Sequence, residues 1–381
     1  MGETRVDLLH LLEDLRDAYP GAIEETILTE IVANSLDSGA SEIALATDPA
    51  ASTLTIVDDG HGMRRRELAR YHDIAATTKA RGQGIGFAGV GIKLGLLVSE
   101  EVVTETRRGA SPVATAWGLR SRQRAPWRWI TPPGLVPRRG TGVRLRLQNP
   151  LSPLLDPGYV EAVLRRHFQP LLDPAFDSIL ASKYPRGVAF ALNTSRLEPD
   201  APPRSEVAPI AVRPARKRKA TAAGRLVRAR ESMPEDQRGL AISTFGKVIK
   251  RGWDWLGLTP AAPDRIGGLM EVPALAECLT LRGLSCGGRG RAGPGAAGHG
   301  AAERAWLRDR VPRCVGGGHG RAAAPPGIGT GSARRVYGFR RVSTMVTRLA
   351  TVWPPRSSPS TITKSPTRTS TRDTDSSPNA L

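Results

Sequence analysis

Thr29-Glu30-Ile31-Val32-Ala33-Asn34-Ser35-Leu36-Asp37 is the stretch that decides the fold. Glu30, Asn34 and Asp37 recur at i, i+4 and i+7, so on a helix they share one narrow face. Downstream, Thr53-Leu54-Thr55-Ile56-Val57-Asp58-Asp59-Gly60-His61-Gly62-Met63 reads as a strand running into a tight glycine turn. Gly86-Phe87-Ala88-Gly89-Val90-Gly91 reads as a flexible loop leading into a helix. A carboxylate with an amide one turn on, an acidic turn and a glycine loop together describe a site for a magnesium nucleotide.

Around these motifs the pattern predicts helices over 6–18, 22–38, 65–76 and 89–98, the second closed by Gly39 just past its last turn. Ser41–Thr47, Thr53–Val57, Val102–Thr106, Val113–Leu119 and Gly142–Leu147 are strand-like, and 77–88 is a polar loop containing glycine. Helices grouped early and strands late fit an α/β (α+β) fold, a two-layer sandwich spanning 1–150. Beyond it, 151–195 reads as a partial second α/β domain, with helices near 158–167 and 175–182 and a strand over 187–192. Residues 196–238 read as a basic, Pro-rich linker, and 239–282 as a small globular segment with a helix across 273–281.

The chain has 381 residues and a formal charge of +19, which by itself suggests a polyanionic partner. Of that charge, +12 falls in residues 283–381, where sixteen of the 41 glycines also lie. Such Arg/Gly/Ala/Pro-rich text suits a disordered RNA-binding arm, and equally GC-rich coding DNA read out of frame. The out-of-frame reading is preferred, and the low-complexity tail is assigned no function. Nucleic-acid binding through the Arg216-Lys217-Arg218-Lys219 run of the linker, or through the tail, stands as a further expectation beside a merely solvated linker. The three cysteines have neither metal-ligand spacing nor a disulfide pattern, and no apolar stretch is long enough to span a bilayer. A soluble, cytoplasmic protein with no membrane partner is therefore expected.

Each motif taken alone is weak. A polar stripe on a helix is usually a solvated face, and Asp-Gly after a strand is usually a turn. Within a nucleotide site, however, Glu30 can hold the attacking water and Asn34 can offer an amide oxygen to magnesium. Asp37 can orient ligand, and Asp58 can accept the exocyclic amine of adenine while Gly60 and Gly62 let the base approach. His61 reads as a turn residue. The loop glycines Gly86, Gly89 and Gly91 free backbone N–H groups for phosphates, and Lys79 and Lys93 can supply point charges. Gly84-Ile85-Gly86-Phe87-Ala88-Gly89 also spells a dinucleotide fingerprint, but a polar loop rather than a strand precedes it. No P-loop occurs.

In series, E-x-x-x-N, D-x-G-x-G and G-x-x-G-x-G resemble the GHKL, or Bergerat-fold, ATPase superfamily. That superfamily includes DNA gyrase B, the ninety-kilodalton heat-shock chaperone, histidine kinases and MutL. Gly140-Thr141 resembles its fourth motif, and Thr77-Thr78-Lys79 the segment heading its ATP lid. The resemblance implies ATP hydrolysis with Mg2+, Glu30 as water-positioning base, Asn34 as magnesium ligand and Asp58 as adenine anchor. It also implies nucleotide contacts from Asp37, Gly60, Gly62, Met63, Thr78, Lys79, Gly86, Phe87, Gly89, Val90, Gly91, Lys93 and Thr141. An ordered lid and an ATP-dependent homodimer would follow. A non-catalytic, nucleotide-gated interaction module in DNA maintenance or defence is the alternative. Lys183 is the candidate for the γ-phosphate lysine that such ATPases carry in a second domain.

Overall fold

The computed structural model describes residues 6–74, 84–86, 91–199, 206–212, 221–256, 260–280 and 283–284. Helices α1 (Leu8–Asp17) and α2 (Ile23–Asp37) precede strands β1 (Glu42–Asp48) and β2 (Thr53–Asp58). Helices α3 (Arg65–Tyr71) and α4 (Gly91–Val98) follow. Strands β3 (Ser99–Arg107), β4 (Val113–Trp117), β5 (Trp127–Ile130) and β6 (Gly140–Leu147) complete the first 150 residues. Next come α5 (Pro157–Phe168), α6 (Asp177–Leu180), β7 (Ala189–Leu192) and the two-residue β8 (Ser195–Arg196).

One eight-stranded sheet runs β5-β4-β3-β6-β2-β1-β7-β8, with β7 parallel to β1 and every other neighbouring pair antiparallel. Its strands alternate, as a sheet with one covered face must. Ile43 and Leu45 of β1, Leu54 and Ile56 of β2, and Val143, Leu145 and Leu147 of β6 are all buried. Ile27, Leu28, Val32 and Leu36 of α2, each fully buried, join them in one core. Burying each such side chain contributes roughly 1.5–3 kcal/mol. The resulting mixed α/β arrangement, helices over a large sheet, is the expected fold class.

Several boundaries differ from the sequence expectation. The α3 helix stops at Tyr71 because His72 is drawn into an aromatic cluster, its ring stacked 4.5 Å from that of Trp127. Strand β7, the last element expected of a partial second domain over 151–195, pairs with β1, and Glu25 of α2 binds Arg166 and His167 of α5.

The expected linker is a larger correction. Within it lie β9 (Glu206–Val212) and β10 (Ala222–Arg228), which join β11 (Gly239–Thr244), β12 (Lys247–Gly252) and β13 (Ile266–Glu271). Together they form a second sheet ordered β12-β11-β13-β10-β9. Pro209 is tolerated because β9 is the edge strand, where a missing N–H breaks no ladder. The helix expected across 273–281 is a 3-10 turn, Pro273–Cys278, opened by its proline. The Arg216–Lys219 run and residues 285–381 lie outside the described residues.

Candidate functional site

Period-two register carries the buried face of β2 from Leu54 through Ile56 to Asp58, so a carboxylate ends a row of core side chains. Asp58 is 6% exposed. Its Oδ2 accepts from Ser35 Oγ at 2.9 Å. Its Oδ1 accepts from Gly60 N at 2.9 Å, Thr141 N at 3.2 Å and Ser38 Oγ at 3.4 Å. Burial pushes this carboxyl above its ordinary value, against the pull of those four donors. Ser35 and Ser38 lie on α2 and its C-terminal cap, so the helix orients the strand's carboxylate. Sequence reading missed both serines. Their positions, one and four residues beyond Asn34, were the available signal.

The turn after Asp58 leaves no room for side chains. A Cβ on Gly60 would lie 1.8 Å from Ser38 Oγ, and one on Gly140 would lie 1.7 Å from the Asp58 carbonyl oxygen. Gly62 has φ +64°, and a Cβ there would meet the Arg107 carbonyl at 2.4 Å. Met63 N donates to Thr106 Oγ1 at 2.8 Å, and that hydroxyl lies 3.2 Å from Thr141 Oγ1. Gly60, Gly62, Met63 and Thr141 thus gather around Asp58. Asp59 instead braces the start of β1, accepting from Ser41 N and Oγ and from Glu42 N. His61 is exposed; its ring meets only the neighbouring Gly62 carbonyl, while its N–H donates to the Ser38 carbonyl at 3.0 Å and ties the turn to the end of α2.

Along α2, Glu30, Asn34 and Asp37 are all half-buried on one stripe. Asp37 accepts from Ile85 N at 3.0 Å and Gly86 N at 2.9 Å, holding the start of the glycine loop against the helix. A Cβ on Gly84 would strike the Asp37 carboxylate at 2.5 Å, and one on Gly91 would lie 2.2 Å from Glu30 Cβ. Glycine at these two positions is what lets loop and α4 approach the acidic stripe. Thr78, Lys79, Phe87, Gly89 and Val90 lie outside the described residues.

Glu30 has a partner that sequence reading did not find. Lys247 Nζ, at the start of β12 in the second sheet, lies 2.9 Å from Glu30 Oε1, with the two side chains 14% and 12% exposed. Lys183, the sequence candidate for this role, places its Nζ 4.9 Å from the Phe245 ring centroid. Tyr19 stands near Glu30 as well. Its hydroxyl is buried with no hydrogen-bond partner among the described residues, and burial first, then the Glu30 charge, pushes the phenol up.

Lys93, expected to supply a point charge to phosphates, is buried in this structure. It is 2% exposed within α4, its Nζ lies 5.5 Å from the Tyr71 ring centroid, and burial brings its ammonium down to about 8. The apolar spacing of α4 points every residue from Gly91 to Leu96 inward, and Lys93 is carried with them.

Residues 22–121 match the family model described as histidine kinase-, DNA gyrase B-, and HSP90-like ATPase. The chain is 26% identical over 139 residues to the chaperone protein HtpG of Polaromonas naphthalenivorans, covering 33% of this chain and 22% of that protein. It is 33% identical over 120 residues to the DNA mismatch repair protein MutL of Methanothrix thermoacetophila, covering 28% and 22% respectively. A second HtpG, from Rhodopseudomonas palustris, is 30% identical over 127 residues, covering 30% and 20%. The chain thus spans about a fifth of the length of the curated relatives it matches. Asp58 in its collar of serines and glycines, and the acidic stripe of α2, both fall inside the matched segment. Over residues 22–121 this chain is thus similar to the GHKL group of ATP-binding, ATPase-type domains.

Proposed function

We propose that the site formed by α2, the Asp58 turn and the glycine loop takes up Mg-ATP and hydrolyses it, as a switch that orders the lid (about 77–91) and pairs two protomers. The observation that carries this reading is the contact of Glu30 with Lys247 on the helix face that also bears Asn34. One acid and one cation then stand where the terminal phosphate of a nucleotide held by Asp58 would be processed.

The residues present fit the ligand. Asp58 is a buried acceptor whose orientation is set by four donors, and Gly60 and Gly62 let the turn that carries it pack against Ser38 and the Arg107 carbonyl. Among the described residues no cluster of three or more His, Cys, Asp or Glu could hold a metal on its own. Magnesium does not need one, since it is commonly held by one or two protein oxygens together with phosphates and water. Asn34 Oδ1 would be that protein ligand, and the ion would neutralise phosphate charge when bound.

Glu30 orients the attacking water and takes its proton. Lys247 gives positive charge to the γ-phosphate, and in turning toward it releases the Glu30 carboxylate for the water. The unpartnered Tyr19 hydroxyl is a donor available beside them. Phosphate contacts from Gly86 and Gly91, and from Thr78, Lys79, Phe87, Gly89 and Val90 in the lid, belong to the same reading, with lid closure excluding water.

Phosphate release from Mg-ATP by the purified chain tests it, with Glu30→Ala alongside. The expected result is slow turnover in the parent and its loss in the variant, with ATP binding retained. No turnover in the parent, or undiminished turnover in Glu30→Ala, would refute hydrolysis at this site.

A further inference from the structure

The hairpin that delivers Lys247 is tied down by a buried carboxylate. Thr244 pairs with Lys247, so β11 and β12 are joined by Phe245 and Gly246 alone. Their φ angles are +47° and +82°. That left-handed pair matches the twist of a two-residue hairpin, but it strains a bulky residue such as Phe245. Strain of this kind persists only where surrounding groups enforce it.

Three elements do so here. Glu271, fully buried at the end of β13, accepts from Ser243 Oγ at 2.6 Å and from Gly246 N at 3.2 Å through Oε2. On the other side, Tyr184 Oη donates to the Phe245 carbonyl at 2.9 Å. Against Gly246, a Cβ would lie 2.6 Å from Leu171 Cγ. The N–H, the carbonyl and the Cα of the turn are each held by a different part of the chain. Glu271 grips the N–H immediately before Lys247.

Its other oxygen, Oε1, is buried with no hydrogen-bond partner among the described residues. A buried carboxylate with one oxygen unpaired costs stability that a neutral side chain would spare. A group kept at that cost, against a strained turn one residue from the cation facing Glu30, points to a placement role. Resting on the ATPase reading above, we propose that Glu271 is a positioning residue: it fixes the Phe245-Gly246 turn so that Lys247 reaches Glu30 and, with nucleotide bound, the γ-phosphate.

The test compares parent, Glu271→Ala, Glu271→Gln, Ser243→Ala, Lys247→Ala and the Glu271→Ala/Lys247→Ala double variant. Mg-ATP turnover is measured beside calorimetric affinity for ADP and for the β,γ-imido analogue of ATP. Because Lys247 addresses only the terminal phosphate, Glu271→Ala should weaken the analogue and leave ADP binding unchanged. Turnover should fall between about tenfold and about a hundredfold, the range expected for a displaced catalytic group. On the Lys247→Ala background the same change should cost nothing more. Glu271→Gln, which keeps an acceptor for Ser243 and Gly246, should restore most of the activity.

Equal losses for ADP and the analogue, a loss that adds to that of Lys247→Ala, or parent-like turnover in Glu271→Ala would overturn the proposal. If Glu271→Ala does not fold, Ser243→Ala, which removes the 2.6 Å contact to Glu271 together with the 3.1 Å one to the Met270 carbonyl, carries the same comparison. A parent that binds the analogue but releases no phosphate refutes hydrolysis, while the analogue-against-ADP comparison still decides on Glu271. A parent that binds neither nucleotide refutes both.

Discussion

Replacing Asp58 with asparagine separates what this carboxylate does for a ligand from what it does for the fold. The substitution keeps the shape of the side chain. An amide oxygen can still accept from Gly60 N and Thr141 N, which Oδ1 accepts at 2.9 and 3.2 Å. The new NH2 can donate to Ser35 Oγ, which donates to Oδ2 at 2.9 Å in the parent and can reverse its role. Because burial raises the carboxyl above its ordinary value, the folded state holds this proton more tightly than the unfolded chain. The associated stability is fully present below the unfolded pKa and is lost as pH rises through the folded one. Above its folded pKa the ionised Asp58 is thus a cost, and there Asp58→Asn should unfold at the same temperature as the parent or higher. Nucleotide affinity should move the other way. A donor would now face the donor amine of adenine, and losing a hydrogen bond to a charged acceptor costs about 1.5–3 kcal/mol. That corresponds to roughly a tenfold to a hundredfold weaker Kd. Thermal unfolding and calorimetry with ADP on the same preparations read both effects. Unchanged ADP affinity would show that Asp58 does not anchor the base, and a large fall in melting temperature would show that the carboxylate serves the fold.

Three further outcomes follow from the same geometry. Gly91→Ala should destabilise the chain by about 1–3 kcal/mol in denaturant titration, because the added methyl would sit 2.2 Å from Glu30 Cβ between two packed helices; an unchanged midpoint would contradict that packing. Asp37→Ala should speed amide hydrogen exchange at Ile85 and Gly86, whose N–H groups it holds at 3.0 and 2.9 Å, without altering exchange in β2. Glu271, pushed by burial from 4.5 to about 7, should make the parent lose stability as pH rises through about 7. The difference in melting temperature between parent and Glu271→Gln should therefore change across that range, and a pH-independent difference would refute the assignment.

The α2 stripe and the β2 turn could be read before any coordinates because both rest on short-range periodicity. Glu30, Asn34 and Asp37 share a face by helical spacing, and Asp58 faces the core by strand alternation, whatever the rest of the chain does. Gly60, Gly62, Gly84 and Gly91 were readable for a similar reason, since few other residues permit the tight turns and close approaches found there. Lys93 shows where such local reading stops. Its position in α4 was correctly placed on a helix, but whether that face met solvent or core depended on what packed against it.

The second sheet escaped notice because its edge strand β9 contains a proline and its neighbours lie in basic text, so composition outweighed a weak alternation. The lysine facing Glu30 stands 217 residues from it in the chain. From its own residues the chain settles which side chains form the acidic helix face, the aspartate turn and the glycine loop, because each is an interaction of near neighbours. Only the tertiary structure brings Lys247 to Glu30, since the pairing of remote strands and the hairpin they present are set by packing across the whole molecule, which no local spacing encodes.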